Sequence, residues 1–348
     1  MERTADEGGR MPGLIDVHSH HYPDAYLDAC RRPGSGFEHY VRDDGRIVVL
    51  QDGAVALAVP QPLPPLEHRI GMMDEAGVEV QVLSVSAPNV YRFAEETRIP
   101  LTRDLNDEFV DLAGQAAGRL RVFASIPLPN VEAALEEADR ALTLPNVVGL
   151  VVCTTVDGHT LDEAEFAPLW EELSRRGTTV FVHPTVACCT DGIREYALAL
   201  ALDFMAETTN AVGRLIYSGT VTRFPGIRWI FTHLGGTTPF LAPRFDNYYR
   251  QFPECRANID RPPSEIMRTL WYDTCTMHGP ALRCAVDTFG PDCLVFGSDY
   301  PHVPGGITRF VEVLKGAGMG PGDLEKVART NAAPLVGLAQ AAGAGGRR

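Results

Sequence analysis

Five polar side chains stand where apolar, strand-like runs of this sequence end. They are His18 and His20 after LIDV, His183 after TVFV, His233 after IRWIFT and Asp299 after CLVFGS. Residues two apart in a strand point to the same side, so the HSH run directs both of its imidazoles the same way. Imidazole nitrogens with one carboxylate suit a single divalent ion, with Zn²⁺ as the first expectation and Mn²⁺, Fe²⁺ or Co²⁺ as alternatives. We therefore expect a metal site on His18, His20, His183 and Asp299.

Further polar residues near this set predict roles beside the ion. We expect Asp299 to serve catalysis as well as metal binding, and His233 to act as a general acid or base, with a fourth histidine ligand as the alternative. Arg244 follows His233 by eleven residues and could clamp a substrate carboxylate or form a surface ion pair with Asp246. His302, in GSDYPH, could hydrogen-bond the substrate or cap its loop.

The elements that must position these residues form an alternating pattern. Eight short apolar runs are each followed by a longer amphipathic segment, as in repeated βα units, and strands covered on both faces are expected to be nearly all apolar. This pattern predicts an α/β fold, a closed (β/α)8 TIM barrel, in which all strands end on the face where active sites are built. An open doubly wound sheet is the alternative, but HSHHYPD lacks the glycine fingerprint that such a sheet would need. The predicted strands are Leu14–His18, Val80–Val85, Arg121–Ile126, Val147–Cys153, Thr179–His183, Ile227–His233, Leu270–Cys275 and Cys293–Asp299.

An insertion separates the first strand from its helix. Residues 21–65 are far more than the roughly 2–6 residues that usually connect a strand to the next helix. Within them, RIVVLQDGAVALAV predicts a β-hairpin around Asp52-Gly53, so we expect an inserted lid. The prediction is one domain over residues 12–340, with flexible tails at 1–11 and 341–348.

Two features of the sequence bear on how many ions are bound. Barrels that bind two ions through a carbamylated lysine need a lysine on the fourth strand, and VVGLVVC has none. The only lysines are Lys315 and Lys326, near the C-terminus. Asp16 shares a strand face with His18, so it could be a ligand or hydrogen-bond a ligand, and we leave it outside the ligand set. One ion is the expectation.

Composition excludes several classes of function. The chain has 31 Lys plus Arg against 45 Asp plus Glu, a net charge of −14, which argues against a nucleic-acid partner. No apolar run approaches the roughly 20 residues that a membrane span requires, and MERTADEGGR lacks the features of a signal peptide. We therefore expect no membrane association and a cytoplasmic location. The eight cysteines contain no CxxC pair and are expected to be free thiols rather than metal ligands.

The sequence resembles the aminocarboxymuconate-semialdehyde decarboxylase branch of the amidohydrolase superfamily over nearly its whole length. The resemblance is carried by IDVHSHHYP, MDEAGVEVQVLS, LNDEFVDLA, VFASIPL, FVHP, AETTNAVGRLIYSG, FPGIRWIFTHLGG, PFLAPRFD, YDTC and VFGSDYPH. It implies a (β/α)8 barrel with one Zn²⁺ on the four ligands named above and with His233 as acid or base. It also implies a homodimer, in which the arginine at the position of Arg244 can act across the subunit interface.

The reaction that this resemblance implies is non-oxidative decarboxylation of a small unsaturated or aromatic carboxylate. A metal-dependent hydrolase or hydratase of a small carboxylated ring or lactone is the first alternative, and a catalytically silent barrel that only binds partners is the second. The sequence departs from the branch at two places. The first-loop hairpin has no arginine after Arg46, and FVHP is followed by TVAC where a tryptophan is common. We therefore expect the substrate to differ.

Overall fold

The computed structural model describes residues 13–303 and 305–338, and the predicted tails at 1–11 and 341–348 lie outside these residues. Its strands and helices alternate along the chain, as the sequence pattern predicts. The strands are β1 (Leu14–His20), β2 (Glu38–Val41), β3 (Arg46–Gln51), β4 (Ala54–Pro60), β5 (Val78–Ser84), β6 (Leu120–Ser125), β7 (Val147–Cys153), β8 (Thr155–Val156), β9 (His159–Thr160), β10 (Thr179–His183), β11 (Arg228–Phe231), β12 (Trp271–Asp273) and β13 (Leu294–Val295).

Eight of these strands form one parallel sheet that curves into a barrel. Its order is β1-β5-β6-β7-β10-β11-β12-β13, so each strand pairs with the next barrel strand along the chain. The ends of the sheet meet because β1 is hydrogen-bonded to the segment that includes and follows β13. The Val17 amide donates to the Phe296 carbonyl at 2.9 Å, and the Asp299 amide donates to the His18 carbonyl at 2.8 Å. The predicted (β/α)8 TIM barrel is confirmed.

The barrel interior is packed with large apolar side chains. Val82, Phe123, Val151, Phe181 and Ile230, from five consecutive strands of the barrel, are fully buried in one cluster. The turn at residues 333–336 packs against the same cluster. A barrel filled in this way is a rigid core, and its strand ends are therefore fixed relative to one another.

The helices cover the outside of the barrel. The sequence indicates helices at Asp104–Ala117, Tyr196–Val212 and Asp323–Val336, and the observed helices differ from these three, while α8 (Thr238–Gln251) lies where no helix is indicated. α3 begins at Glu95 rather than Asp104 and so contains Pro100, which removes one backbone hydrogen bond of the helix. The helix predicted from Tyr196 begins with a π-helical turn at 199–203, and the last predicted helix is short and continues as separate turns. The helices are α1 (Asp24–Arg31), α2 (Leu66–Ala76), α3 (Glu95–Gln115), α4 (Val131–Ala141), α5 (Ala167–Arg176), α6 (Phe204–Tyr217), α7 (Thr220–Arg223), α8 (Thr238–Gln251), α9 (Pro263–Met267), α10 (Gly279–Phe289), α11 (Gly306–Lys315) and α12 (Pro321–Glu325). Over residues 13–303 and 305–338, none of the helices combines the length and the apolar character needed to cross a bilayer.

The insertion after β1 contains more structure than the predicted hairpin. It begins with α1 and continues as a three-stranded antiparallel sheet, β2-β3-β4. The turn between β3 and β4 lies at Asp52 and Gly53, which both have positive φ (50° and 79°), as the sequence predicts. Ile47, Val49 and Leu57 of this sheet are buried in the main core. The sheet is therefore packed against the barrel, and whether it acts as a lid stays a prediction.

The tight pairing of β7 with β10 gives a stability prediction. A Cβ atom added at Gly149 would lie 2.4 Å from the Thr179 carbonyl oxygen, which belongs to the neighbouring strand. We expect Gly149→Ala to lower the free energy of unfolding by about 1–3 kcal/mol, because the two strands would have to separate. Gly114→Ala is the control: it lies in α3 with no atom near the added Cβ, and it is expected to be neutral or to stabilise by up to about 1 kcal/mol. Urea unfolding followed by circular dichroism measures both, and equal stability of the two variants would contradict this packing.

Candidate metal centre

Four of the predicted residues bring their ligand atoms together at the mouth of the barrel. His18 Nε2 and His20 Nε2 are 3.0 Å apart and lie 3.3 and 3.1 Å from Asp299 Oδ1. The His183 ring centre lies 4.8 Å from that of His20 and 5.4 Å from that of His18. Ligands about 2.0–2.2 Å from a shared ion are separated from one another by roughly 3.0–3.5 Å. These spacings therefore match a single ion.

The far nitrogen of each imidazole is fixed by a protein acceptor. His18 Nδ1 lies 2.6 Å from Asp273 Oδ2, and His183 Nδ1 lies 2.7 Å from the carbonyl of the next residue. His20 Nδ1 lies 3.3 Å from the Ser84 carbonyl and 3.1 Å from its hydroxyl. A neutral imidazole that donates from Nδ1 keeps a lone pair on Nε2, which is the arrangement that histidine ligands commonly show.

The protonation states of the four proposed ligands favour the binding of a cation. Burial lowers the pKa of His20 to about 3 and the pKa of His183 well below its usual range, so both rings are neutral. Although burial opposes ionisation, the neighbouring His18 holds the pKa of Asp299 well below its ordinary value. Burial likewise acts against charge on His18, but Asp273 and Asp299 outweigh it and raise the pKa of His18 to about 10. The two carboxylates thus draw a positive charge to this point.

One buried atom in the pocket lacks any hydrogen-bond partner. Asp299 Oδ1 has none among the described residues, although the Nε2 atoms of His18 and His20 face it closely. Because the His20 ring is neutral, its Nε2 lone pair faces this carboxylate oxygen, and the two repel unless a cation lies between them. The residues present therefore fit a divalent metal ion.

His233 lies on the opposite side of the Asp299 carboxylate. Its Nε2 is 3.6 Å from Asp299 Oδ2, the oxygen that does not face His20, and its Nδ1 has no partner within the described part of the chain. His233 and Asp299 both have positive φ, 53° and 55°, a conformation that costs energy in residues other than glycine and is concentrated at functional sites. His233 is also close enough to His18, His183 and Asp299 to share an ion, so acid/base and ligand roles both remain compatible with its place.

A second set of buried polar side chains holds the ligand-bearing segments together. Asp16 does not face the pocket, because its carboxylate accepts from Ser298 Oγ at 2.6 Å and from Gln81 Nε2 at 2.8 Å. Burial raises the pKa of Asp16 to about 6. Arg69 donates to Gln81 Oε1 and to the His20 carbonyl, both at 2.6 Å. These bonds connect β1, β5, α2 and the segment after β13.

A cavity of about 650 Å³ opens above the pocket. His183, His233 and Asp299 line its floor. One wall is the inserted segment, which contributes the apolar run 56–58, Arg46, and Arg42 paired with Asp44 at 3.0 Å. The Arg46 side chain is 28% exposed. Most of the remaining wall is apolar and consists of Leu200, Ala201, Phe204, Met205, Cys275, Met277, Val303 and Phe310. The cavity therefore suits a largely apolar molecule with one charged group.

The two predicted substrate-binding residues lie in different places. His302 lines the cavity, and its Nε2 is 2.6 Å from the Tyr22 hydroxyl. Arg244 is exposed on α8, where its Nη2 donates to the Tyr248 hydroxyl at 2.8 Å. It does not line the cavity of its own chain as far as the structure describes it. The alternative partner of Arg244, Asp246, accepts instead from Ser264.

Sequence reasoning missed several residues of the site. Asp273 was recognised only as part of the seventh strand, although an acid at a strand end is the same kind of feature that singled out Asp299. Arg42, Arg46 and Ser86 were also missed, since a strand or loop sequence alone does not show which side chains face a cavity.

Two curated relatives cover most of this chain. The 2-amino-3-carboxymuconate-6-semialdehyde decarboxylase of Dictyostelium discoideum is 25% identical over 327 residues, which are 89% of this chain and 90% of that protein. The 6-methylsalicylic acid decarboxylase of Penicillium expansum is 29% identical over 309 residues, which are 86% of this chain and 89% of that protein. Both relatives are therefore matched over nearly their whole length.

A solved structure and a family model agree with these relatives. The 5-carboxyvanillate decarboxylase of Novosphingobium aromaticivorans, solved with bound manganese and 3-methoxy-4-hydroxy-5-nitrobenzoic acid, has a TM-score of 0.82 at 18% identity and covers 95% of this chain and 99% of that one. This likeness shows the fold. The family model described as amidohydrolase matches residues 15–338. The chain therefore belongs to the amidohydrolase family, in its aminocarboxymuconate-semialdehyde decarboxylase-like branch.

Proposed function

We propose that this protein is a metal-dependent, non-oxidative carboxy-lyase that removes carbon dioxide from a small unsaturated or aromatic carboxylate. The observation that carries the proposal is the buried Asp299 Oδ1, which has no hydrogen-bond partner in the described part of the chain and faces the Nε2 atoms of His18 and His20 at the floor of an apolar cavity. The names of the relatives support the reaction class, since both are decarboxylases.

The ion would be held by His18, His20, His183 and Asp299. Zn²⁺ is our first choice because imidazole nitrogens with one carboxylate suit it, and Mn²⁺ is the alternative that the solved relative contains. When bound, a divalent ion supplies positive charge that stabilises the electron-rich form of the substrate.

His233 is the proposed proton donor. As the bond between the ring carbon and the carboxylate breaks, its electron pair stays on the ring carbon and carbon dioxide leaves. That carbon must then take up a proton, which the His233 imidazole delivers. Asp299 Oδ2, 3.6 Å from His233 Nε2, stabilises the protonated ring before transfer. The apolar wall of the cavity and the inserted sheet keep water away during this step.

Arginines are the proposed partners of the substrate's acidic group. Arg46 reaches the cavity from the inserted sheet of the same chain. Arg244 would need a second copy of the chain to reach a substrate, because it is exposed on α8 and does not line its own cavity in the described part of the chain. Phe240 lies one helical turn before Arg244 on α8 and is 77% exposed, so this helix surface has the apolar character of a subunit contact. We propose a homodimer in which Arg244 completes the partner's site.

The reaction class is tested together with His233. Incubating the metal-loaded protein with hydroxybenzoates is expected to release carbon dioxide, whereas a product heavier by one water would indicate the hydrolase or hydratase alternative. His233→Gln should lower kcat by about 10²–10⁴-fold, because the proton donor is lost, while one ion per chain remains bound. His68→Gln changes an exposed histidine on α2 and is the control. Loss of the ion in His233→Gln would instead assign His233 as a ligand.

The contact between Asp273 and His18 gives a prediction for metal affinity. Asp273→Asn should weaken binding of the ion by about 10–100-fold, since the carboxylate that orients His18 through Nδ1 is lost while the side-chain size is kept. Asp287→Asn, an exposed change on α10, is the control. Competition with a chelator measures the affinity. An unchanged metal affinity in Asp273→Asn would contradict the orienting role.

Mixing two inactive variants tests the placement of Arg244. If Arg244 acts across a dimer, subunits of His233→Gln and Arg244→Met that exchange will form heterodimers with one intact site. An equal mixture should then recover roughly a quarter of the wild-type activity, since half of the dimers are mixed and half of their sites are intact. No recovery, despite exchange shown by mass spectrometry, would rule out this arrangement.

A further inference from the structure

The cavity above the metal centre is large for a substrate with a single aromatic ring. Its volume is about 650 Å³. An apolar protein cavity of about 150 Å³ is enough to bind one benzene molecule, so this cavity has roughly four times the space that one ring needs. A simple benzoate bound at the floor would leave most of the cavity to water. The volume therefore suits a longer molecule.

The side chains around this additional space are mostly apolar. They come from the π-helical turn at 199–203 and the start of α6, from the loop after β12, and from the segment after β13 with α11. Phe204, Cys275 and Phe310 are buried members of this lining. A well-held water molecule needs about two to four polar partners, and an apolar wall supplies few of them. An apolar substrate group that displaces this water is therefore stabilised by the hydrophobic effect.

Apolar surface is available at more than one depth of the cavity. His183, a proposed ligand at the floor, is only 2% exposed, whereas Met277 is 58% exposed and lies at the mouth. The buried Phe204 and Phe310 line the same cavity as Met277. A flat or extended apolar group could therefore lie along this wall, with the carboxylate-bearing ring at the ion.

Polar substrate groups are the alternative use of this space. Away from the floor, the ionised side chains among the described lining residues are Arg42, Asp44 and Arg46, all from the inserted segment. Arg42 and Asp44 are paired with each other at 3.0 Å, and their side chains are 52% and 45% exposed. These charges are therefore on the solvent side and partly balanced, so the deeper space favours apolar groups.

Two small side chains keep this space open. Ala58, in β4, and Ala201, in the π-helical turn, both line the cavity. The two elements are neighbours, because Ala56 of β4 and Ala199 of the turn belong to one buried cluster. A larger side chain at position 58 or 201 would occupy part of the volume that a second apolar group needs.

We infer that the substrate of this site is an aromatic carboxylate enlarged by a second apolar group, such as a fused ring or an alkyl chain of several carbons. Ala58 and Ala201 are then specificity-determining residues, because their small size admits that group. This inference rests on the proposed function, since it concerns the substrate of the same site.

The test compares ligands that share one carboxylate-bearing ring. Dissociation constants are measured by calorimetry on the Mn²⁺-loaded protein for 2-hydroxybenzoate and for its benzo-fused forms, 1-hydroxy-2-naphthoate, 3-hydroxy-2-naphthoate and 2-hydroxy-1-naphthoate. These naphthoates carry the second ring on different edges of the first. In the wild type, at least one naphthoate should bind at least about tenfold more tightly than 2-hydroxybenzoate, because the second ring buries additional apolar surface.

Ala58→Leu and Ala201→Leu show whether the cavity causes this preference. At least one of them should lower the ratio of the two dissociation constants to about one, because the larger side chain takes the space of the second ring. Ala201 is exposed, so Ala201→Leu is expected to fold even if Ala58→Leu does not. Ala206→Leu is the matched control, because Ala206 is an exposed residue of α6 and does not line the cavity in the described part of the chain. It should keep the wild-type ratio.

Three results would overturn the inference: no naphthoate that binds about tenfold more tightly than 2-hydroxybenzoate, a preference that survives both cavity-filling substitutions, or a preference that Ala206→Leu abolishes as well. Carbon dioxide release from all of these ligands is measured separately on the wild type. A binding preference without release from any of them would contradict the proposed function and leave the inferred substrate size standing. Release without a binding preference would do the reverse.

Discussion

The site depends on how the far side of each imidazole is held. The rings of His20 and His183 are neutral, and the Nε2 atoms of His18 and His20 face a buried carboxylate oxygen, an arrangement that a divalent cation between them would stabilise. The fold imposes it because the Nδ1 atoms are engaged by Asp273, by Ser84 and by the carbonyl after His183. Asp273 orients two residues, because one carboxylate oxygen contacts His18 Nδ1 and the other accepts the His233 amide at 2.8 Å. One carboxylate therefore fixes both a proposed ligand and the proposed proton donor.

Closure of the barrel brings the first and last of these residues together. The His18 carbonyl accepts the Asp299 amide, and the His20 amide donates to the Tyr300 carbonyl at 2.7 Å, so backbone hydrogen bonds alone place the two ends of the domain in contact. The buried carboxylate of Asp16 adds a side-chain connection through Ser298. The pocket thus lies where the first and last strands of the barrel meet. There the position of one segment relative to the other is fixed by main-chain hydrogen bonds rather than by loop conformation.

Most of the metal centre could be predicted from the sequence, because the carboxyl ends of parallel strands all lie on one face of the barrel. Identifying strands that end in His18, His183, His233 and Asp299 was sufficient to place these residues in one pocket, without knowledge of any loop. What could not be predicted depends on side-chain direction and on irregular backbone. The role of Asp273 follows only from the structure, in which its carboxylate faces His18 Nδ1. The arginines of the inserted sheet could not be assigned to the cavity without knowing how that sheet packs on the barrel. Arg244 lies on an exposed helix surface, and the sequence of one chain does not show what contacts that surface. The first turns of α3, from Glu95, lie outside the predicted stretch, since they contain Pro100 and no sequence pattern marks their start.

The turn after His233 also restricts how this cavity can diversify. Gly236 has a φ of 67°, and a Cβ atom there would lie 2.2 Å from the Met205 carbonyl oxygen at the start of α6. The turn that carries the proposed proton donor is therefore in direct contact with the helix whose first residues form one wall of the cavity. A descendant enzyme that reshaped this wall would also shift its acid/base group, whereas changes in the inserted sheet reach the cavity through a separate segment. Substitutions in the insertion are therefore expected to change the shape of the cavity with less effect on the position of His233.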